Sequence, residues 1–168
     1  ILAAAMMAAA SAAEPRQEAR NILDKTGVSG GLVVHVGCDD GRLTAALRAD
    51  DSYVVHGLDR DRADVRSARR RFLKKKLTGS VSAAHWEGGD LPYLDNLVDL
   101  LVIQNPDAVG QGEIKRVLSP EGVACVRSGN GWKVFHRKPW PEEMDDWTHY
   151  LHDADGNPVS SDKKVGPP

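Results

Sequence analysis

The chain has 168 residues, 41% of them hydrophobic and 27% charged, with a formal net charge of −2 at pH 7. That is apolar material for one core of ordinary size plus extensions. The near-neutral balance and the 5% aromatic content exclude a general nucleic-acid binder, because gripping phosphates relies on clustered positive charge; no nucleic-acid partner is expected.

Residues Ile1 to Ala10 form an apolar run that ends in Ser11-Ala12-Ala13, and charge begins at Glu14. The pattern reads as the core and cleavage site of a signal peptide, so residues 1–13 are its expected remnant and the protein is expected to be exported, periplasmic or in the cell envelope. The run is shorter than the roughly 20 apolar residues a membrane helix needs, and no transmembrane segment is expected. The competing reading is an Ala-rich first helix of the fold.

From Glu14 to Lys25, Pro15 near the start, Ala19, Ile22 and Leu23 at helical spacing and Gly27 just beyond predict a helix on one edge of a sheet. Gly31-Leu32-Val33-Val34-His35-Val36-Gly37 is a nearly continuous β-branched run, as in a strand buried on both faces. Alternation then continues with a helix at Leu43 to Arg48, a strand at Tyr53 to Leu58, a helix at Arg62 to Leu77 and a strand at Val81 to Trp86. A turn through Pro92 leads to a strand at Val98 to Gln104, a helix near Glu113 to Leu118 and a strand at Gly122 to Val126. Strands separated by helices argue for right-handed crossovers and a doubly wound, mostly parallel sheet with helices on both faces, a Rossmann-like α/β fold. Ser128-Gly129-Asn130-Gly131 reads as a turn and Trp132 to His136 as a strand returning antiparallel at the C-terminal edge. The expected domain is therefore 14–138. Beyond Pro139, turn formers dominate, so 139–168 is a linker or the start of a second domain. Cys38 and Cys125 would lie two strands apart, about 9 to 10 Å at ordinary strand spacing, so two free thiols are expected.

The residues that carry chemistry follow the first strand. In Val36-Gly37-Cys38-Asp39-Asp40-Gly41, Gly37 and Gly41 allow a sharp turn and a close ligand approach, and the next helix offers free N–H groups. A dinucleotide fingerprint needs glycine at 39 and 42, where Asp39 and Arg42 stand, and a carboxylate repels a pyrophosphate. A cationic, phosphate-free nucleoside suits the charge better.

Here the chain resembles the class I S-adenosylmethionine-dependent methyltransferases, whose first motif is a strand followed by Gly-x-Gly-x-Gly. Gly57-Leu58-Asp59-Arg60 resembles the second motif, in which a carboxylate holds the ribose hydroxyls. Gly88-Gly89-Asp90-Leu91-Pro92-Tyr93 resembles the loop whose acid meets the adenine amino group. Val98 to Asn105 resembles the fourth motif, and Ile114 to Gly122 the helix and turn before the fifth strand. The resemblance implies S-adenosylmethionine as cofactor and His35, Gly37, Cys38, Asp39, Gly41, Asp59, Arg60, Asp90, Leu91 and Asn105 as the residues around it. It leaves the methyl acceptor open and names no general base.

Two positions depart from the family. His35 stands where an acid usually approaches the methionine part, and Asp39 replaces the middle glycine; Asp39 is expected to supply that carboxylate to the cofactor ammonium. Structural alternatives stand beside the functional ones: Asp59 as N-cap of the following helix, Asp90 as cap of the turn at Leu91-Pro92, and Asn105-Pro106-Asp107 as a plain loop, not an amine-orienting motif. The Arg- and Lys-rich helix from Arg60 to Lys76 is expected to be a solvated outer helix with Asp61 and Asp64 at its dipole-compatible end, the alternative being a face that meets RNA phosphates or an anionic membrane. In the tail, Asp153, Asp155 and Asn157 have the alternate spacing of a calcium loop but lack its glycine and closing glutamate, so no metal is expected. The stretch Trp140 to Pro158 is similar to the segment that leads into the β-propeller of exported pyrroloquinoline-quinone-dehydrogenase-like proteins. That resemblance implies a downstream propeller as partner, and a second function: a non-catalytic α/β scaffold module of such a protein.

Overall fold

The computed structural model describes residues 2–143, with side chains from Glu14 onward. The chain divides into two units, Ile1–Lys138 and Pro139–Pro168, and every helix and strand described lies in the first. The tail positions Asp153, Asp155 and Asn157, and most of the propeller-like segment, lie outside the described residues.

Six strands form one sheet: β1 (Gly31–Val36), β2 (Tyr53–Asp59), β3 (Val81–His85), β4 (Val98–Ile103), β5 (Leu118–Ser128) and β6 (Gly131–Arg137), in the order β3-β2-β1-β4-β5-β6. The first five are parallel and β6 runs antiparallel on β5. Continuous apolar runs explain the central strands: Val33, Val34, Val36 and Leu100 to Ile103 are all buried, as required when both faces are covered. One face packs under helices α1 (Leu2–Thr26), α2 (Arg42–Leu47) and α3 (Arg62–Lys74) through Ile22, Leu47, Val65, Ala68 and Phe72. The other packs under α4 (Gln111–Val117) and the segment after β3, through Ile114, Val117, Trp86 and Leu91. Strand order reverses between β1 and β4, and the carboxyl ends of the strands at such a reversal are where doubly wound sheets form their ligand crevice.

Several boundaries differ from the sequence expectation, each for a tertiary reason. Helix α1 does not start at Glu14 but runs from Leu2 straight through Pro15; the proline removes one i→i−4 bond and the helix continues regardless. Helix α3 stops at Lys74 instead of Leu77. Lys76 turns left-handed at φ 55, and the amides of Lys76 and Leu77 return to the carbonyls of Leu73 and Phe72, a Schellman ending without the glycine that normally advertises it. Strand β5 begins at Leu118, because Val98 pairs with Leu118 before a register shift absorbs the turn through Glu121. Between β3 and β4 the chain makes the expected turn without a helix, and Arg116 of α4 holds that segment by donating to the carbonyls of Leu91 (3.2 Å) and Tyr93 (2.9 Å) and to Asp95. Cys38 and Cys125 are buried and unpaired.

Candidate functional site

The loop 37–41 leaves β1 at the reversal point and enters α2. Gly37 has φ 82, and a Cβ there would stand 2.8 Å from Cβ of Gln104 at the end of β4, so only glycine lets the two strand ends meet. The amides of Gly37 and Cys38 both donate to the Leu58 carbonyl (2.8 and 3.1 Å), that of Gly41 to Cys38 O (2.9 Å), that of Asp39 to Asp59 Oδ2 (2.8 Å) and that of Arg42 to Asp40 Oδ1 (3.1 Å). Five of the six amides from Gly37 to Arg42, all but that of Asp40, are therefore taken up inside the protein, which leaves little of a phosphate cradle in the loop. Gly41 serves packing: a Cβ there would meet Ala68 and Phe72 of α3 at 2.8 Å, so its vacancy admits a helix, not a ligand.

Asp59, at the end of β2 and only 9% exposed, latches the loop. Its Oδ2 accepts from Asp39 and its Oδ1 from the Asp61 amide at 2.9 Å. The helix cap is Asp61, whose carboxylate accepts from Ala63, so the capping alternative for Asp59 is overturned. Each Asp59 oxygen keeps a lone pair for a further donor. Carboxylates of Asp39, Asp59 and Asp64 lie within 4.8 Å of one another. Burial, then Asp59, Asp64 and Asp40, raises the Asp39 carboxyl above the usual range: the site crowds negative charge and favours a cation that relieves it. Asp64, four residues beyond Arg60, was read from sequence only as a helix-dipole partner.

The side chains of His35, in β1, and of Cys38, in the loop, are both buried. The His35 ring is 2% exposed and its Nδ1 meets Thr44 Oγ1 of α2 at 2.9 Å; burial holds its pKa down to about 4 against a smaller opposing pull from Asp59. Burial, with nearby Asp59 and Asp39, pushes the Cys38 thiol up to about 12. Neither is poised as a base or nucleophile at neutral pH. On the other side of the crevice, Gln104 carries a buried Oε1 with no donor. Sequence reasoning chose its neighbour Asn105, which instead caps the short 3-10 turn Pro106–Ala108 by accepting from the Asp107 amide at 3.1 Å. The available signal is a polar residue directly after the apolar run Leu100 to Ile103.

Around the ends of β2 and β3, the Arg60 guanidinium lies 5.5 Å above the Trp86 ring and would be 2.7 Å from a Cβ on Gly88. The carbonyl of Asp90 accepts from Trp86 Nε1 at 3.0 Å while its side chain is exposed. Leu91 is buried, and its amide donates to Glu113 Oε1 at 2.6 Å; Glu113, not Asp90, secures that turn.

Asp39 keeps the backbone of the glycine it replaces, with φ 45. Asp39→Gly is accordingly expected to raise the thermal midpoint, worth about 1 kcal/mol from relieved left-handed strain, and Asp39→Ala to lower it relative to Gly. Thermal denaturation of the two variants checks the ordering.

Comparison with known proteins gives the following. A family model described as "Methyltransferase domain" matches residues 33–122. No curated protein matches. Among solved structures, an S-adenosylmethionine-dependent methyltransferase from Aquifex aeolicus is 21% identical over 65% of this chain and 62% of its own, with a TM-score of 0.57. Geranyl diphosphate C-methyltransferase from Streptomyces coelicolor, solved with S-adenosyl-L-homocysteine, is 19% identical over 66% and 44%, with a TM-score of 0.60. The [4+2]-cyclase SpnF is 23% identical over 68% and 47%, with a TM-score of 0.59. The chain thus spans about half the length of these structures, and at such identity the likeness concerns the fold.

Proposed function

The chain belongs to the methyltransferase-domain family, and on that premise we propose that it binds S-adenosylmethionine in the crevice between the ends of β2, β1 and β4. The observation that carries the reading is the Asp59 latch: a buried carboxylate with spare lone pairs beside a loop most of whose amides are spent, chemistry suited to a nucleoside with hydroxyls and positive charge but no phosphate. The residues fit that group. Asp59 would take the ribose hydroxyls, Asp39 and Asp64 set a negative field for the cationic part, and the unpartnered Gln104 oxygen offers an acceptor to an ammonium. Asp90 stands on the β3 side, where the resemblance puts the adenine amino group. When bound, the cofactor supplies a methyl group on a sulfonium, open to in-line attack.

Since His35 and Cys38 are enclosed and proton-inert at neutral pH, any transfer rests on positioning. The cyclase likeness illustrates that this fold does not fix a reaction. Isothermal titration of the full chain with S-adenosylmethionine tests the reading: a dissociation constant between about 1 μM and 1 mM, the usual range for enzyme ligands, is expected, and no heat at millimolar cofactor overturns it.

A second reading, export of the chain and a scaffold role beside a β-propeller, is supported by the apolar run Ile1 to Ala10 before Ser11-Ala12-Ala13 and by the propeller-like stretch Trp140 to Pro158. It gains if the titration is silent.

A further inference from the structure

The outward sides of α1, α2 and α3 enclose a groove of about 810 Å³ that no part of the cofactor reading uses. Its rim carries Arg16, Arg20, Arg42, Arg48, Arg71 and Lys75, and between them lie the small apolar surfaces of Leu23, Ala46 and Leu77. A shallower hollow of about 320 Å³ continues along α3, adding Arg70 and Lys74. Asp40 pairs with Arg42 and Arg71, and Asp51 with Arg48; no acidic side chain lines either hollow. Leu73, one residue before Lys74, is 70% exposed, an apolar side chain standing among cations.

We propose that this face docks on an anionic phospholipid surface. Each cation near such a surface contributes about 1 kcal/mol and the contributions accumulate over a patch. Arg and Lys lay their stems along apolar surface while their heads reach phosphate, which is the arrangement that Leu23, Ala46, Leu77 and Leu73 provide. Helix α1 continues back from Arg16 through Leu2 to Ala13, twelve residues without a charge. Among the described residues no helix is long and apolar enough to cross a membrane, and an apolar stretch of sequence followed by a polybasic face suits docking on a bilayer surface. A single-stranded nucleic acid fits less well, because neither hollow is lined by an aromatic ring on which bases stack.

Co-sedimentation of the full chain with vesicles tests the inference. Vesicles of phosphatidylcholine with about 30% phosphatidylglycerol are expected to hold the protein at least tenfold better than phosphatidylcholine alone, with the difference lost in about 0.5 M salt. The triple variant Arg20→Glu, Arg70→Glu, Lys74→Glu, all at exposed positions, is expected to lose that preference while its circular dichroism and its S-adenosylmethionine titration match the parent. Should the reversals unfold the chain, the milder pair Arg70→Gln, Lys74→Gln carries the same comparison with a smaller loss. Equal binding to neutral and anionic vesicles, preference retained in the substituted protein, or tighter binding of a short RNA than of anionic vesicles each overturns the proposal.

Discussion

Asp59→Ala is expected to cut S-adenosylmethionine affinity by about 100-fold or more and to lower unfolding free energy by about 3 to 6 kcal/mol, the sum of two hydrogen bonds to a charged acceptor. The carboxylate takes the amides of Asp39 and Asp61 at 2.8 and 2.9 Å in a nearly closed environment. Truncation leaves both donors wanting, frees the loop from β2 and removes the acceptor proposed for the ribose hydroxyls together. One effect works the other way: without Asp59, the crowding that raises the Asp39 carboxyl diminishes, which offsets part of the stability loss. Asp59→Asn separates the two roles. Its amide retains one acceptor oxygen for the loop but turns an NH2 toward the second donor, so partial stability with the binding loss retained is expected. Urea denaturation and calorimetric titration of both variants give the answer, and unchanged affinity in Asp59→Ala removes Asp59 from the site.

What the sequence disclosed was whatever depends on local pattern. The apolar runs of β1 and β4, the alternation along Trp132 to His136 and the acid closing β2 each state their position through period and composition, and the mostly parallel sheet with its antiparallel edge is as expected from them. What stayed hidden depends on partners distant in the chain. The early end of α3 has no glycine to mark it, because Lys76 takes the left-handed turn. The early start of β5 is set by Val98 on another strand. Asp59 and the glycine loop are visible as motif, but the fate of the loop amides is not: all but that of Asp40 are taken up by Leu58, Cys38, Asp40 and Asp59, a matter of tertiary geometry. His35 was read as a ligand contact because of its place before Gly37, yet strand direction and α2 bury it. Gln104 and Asn105 are neighbours in sequence with opposite fates, one left wanting a donor in the crevice and one capping a turn.

The buried imidazole of His35 gives the second large effect, a loss of about 3 kcal/mol of stability on acidification. Burial lowers its pKa from 6.5 to about 4, with Asp59 opposing, and Nε2 has no partner for an added proton. The folded state therefore prefers the neutral ring. The associated stability is whole above pH 6.5, where the unfolded chain is also neutral, and drains away as pH falls from 6.5 toward 4, because the unfolded chain binds the proton first. Asp39, whose carboxyl is raised, has the opposite sign and stabilises the fold as it gains its proton in acid, so the raw profile understates the histidine. His35→Leu isolates it: the apolar side chain removes the titration and the orphaned nitrogen, at the cost of the bond to Thr44. Urea midpoints measured from pH 7.5 down to 4 are expected to fall steeply for the parent and much less for the variant. Parallel profiles would mean that acid reaches His35 without unfolding anything, and that the loop above it opens to water in the native state.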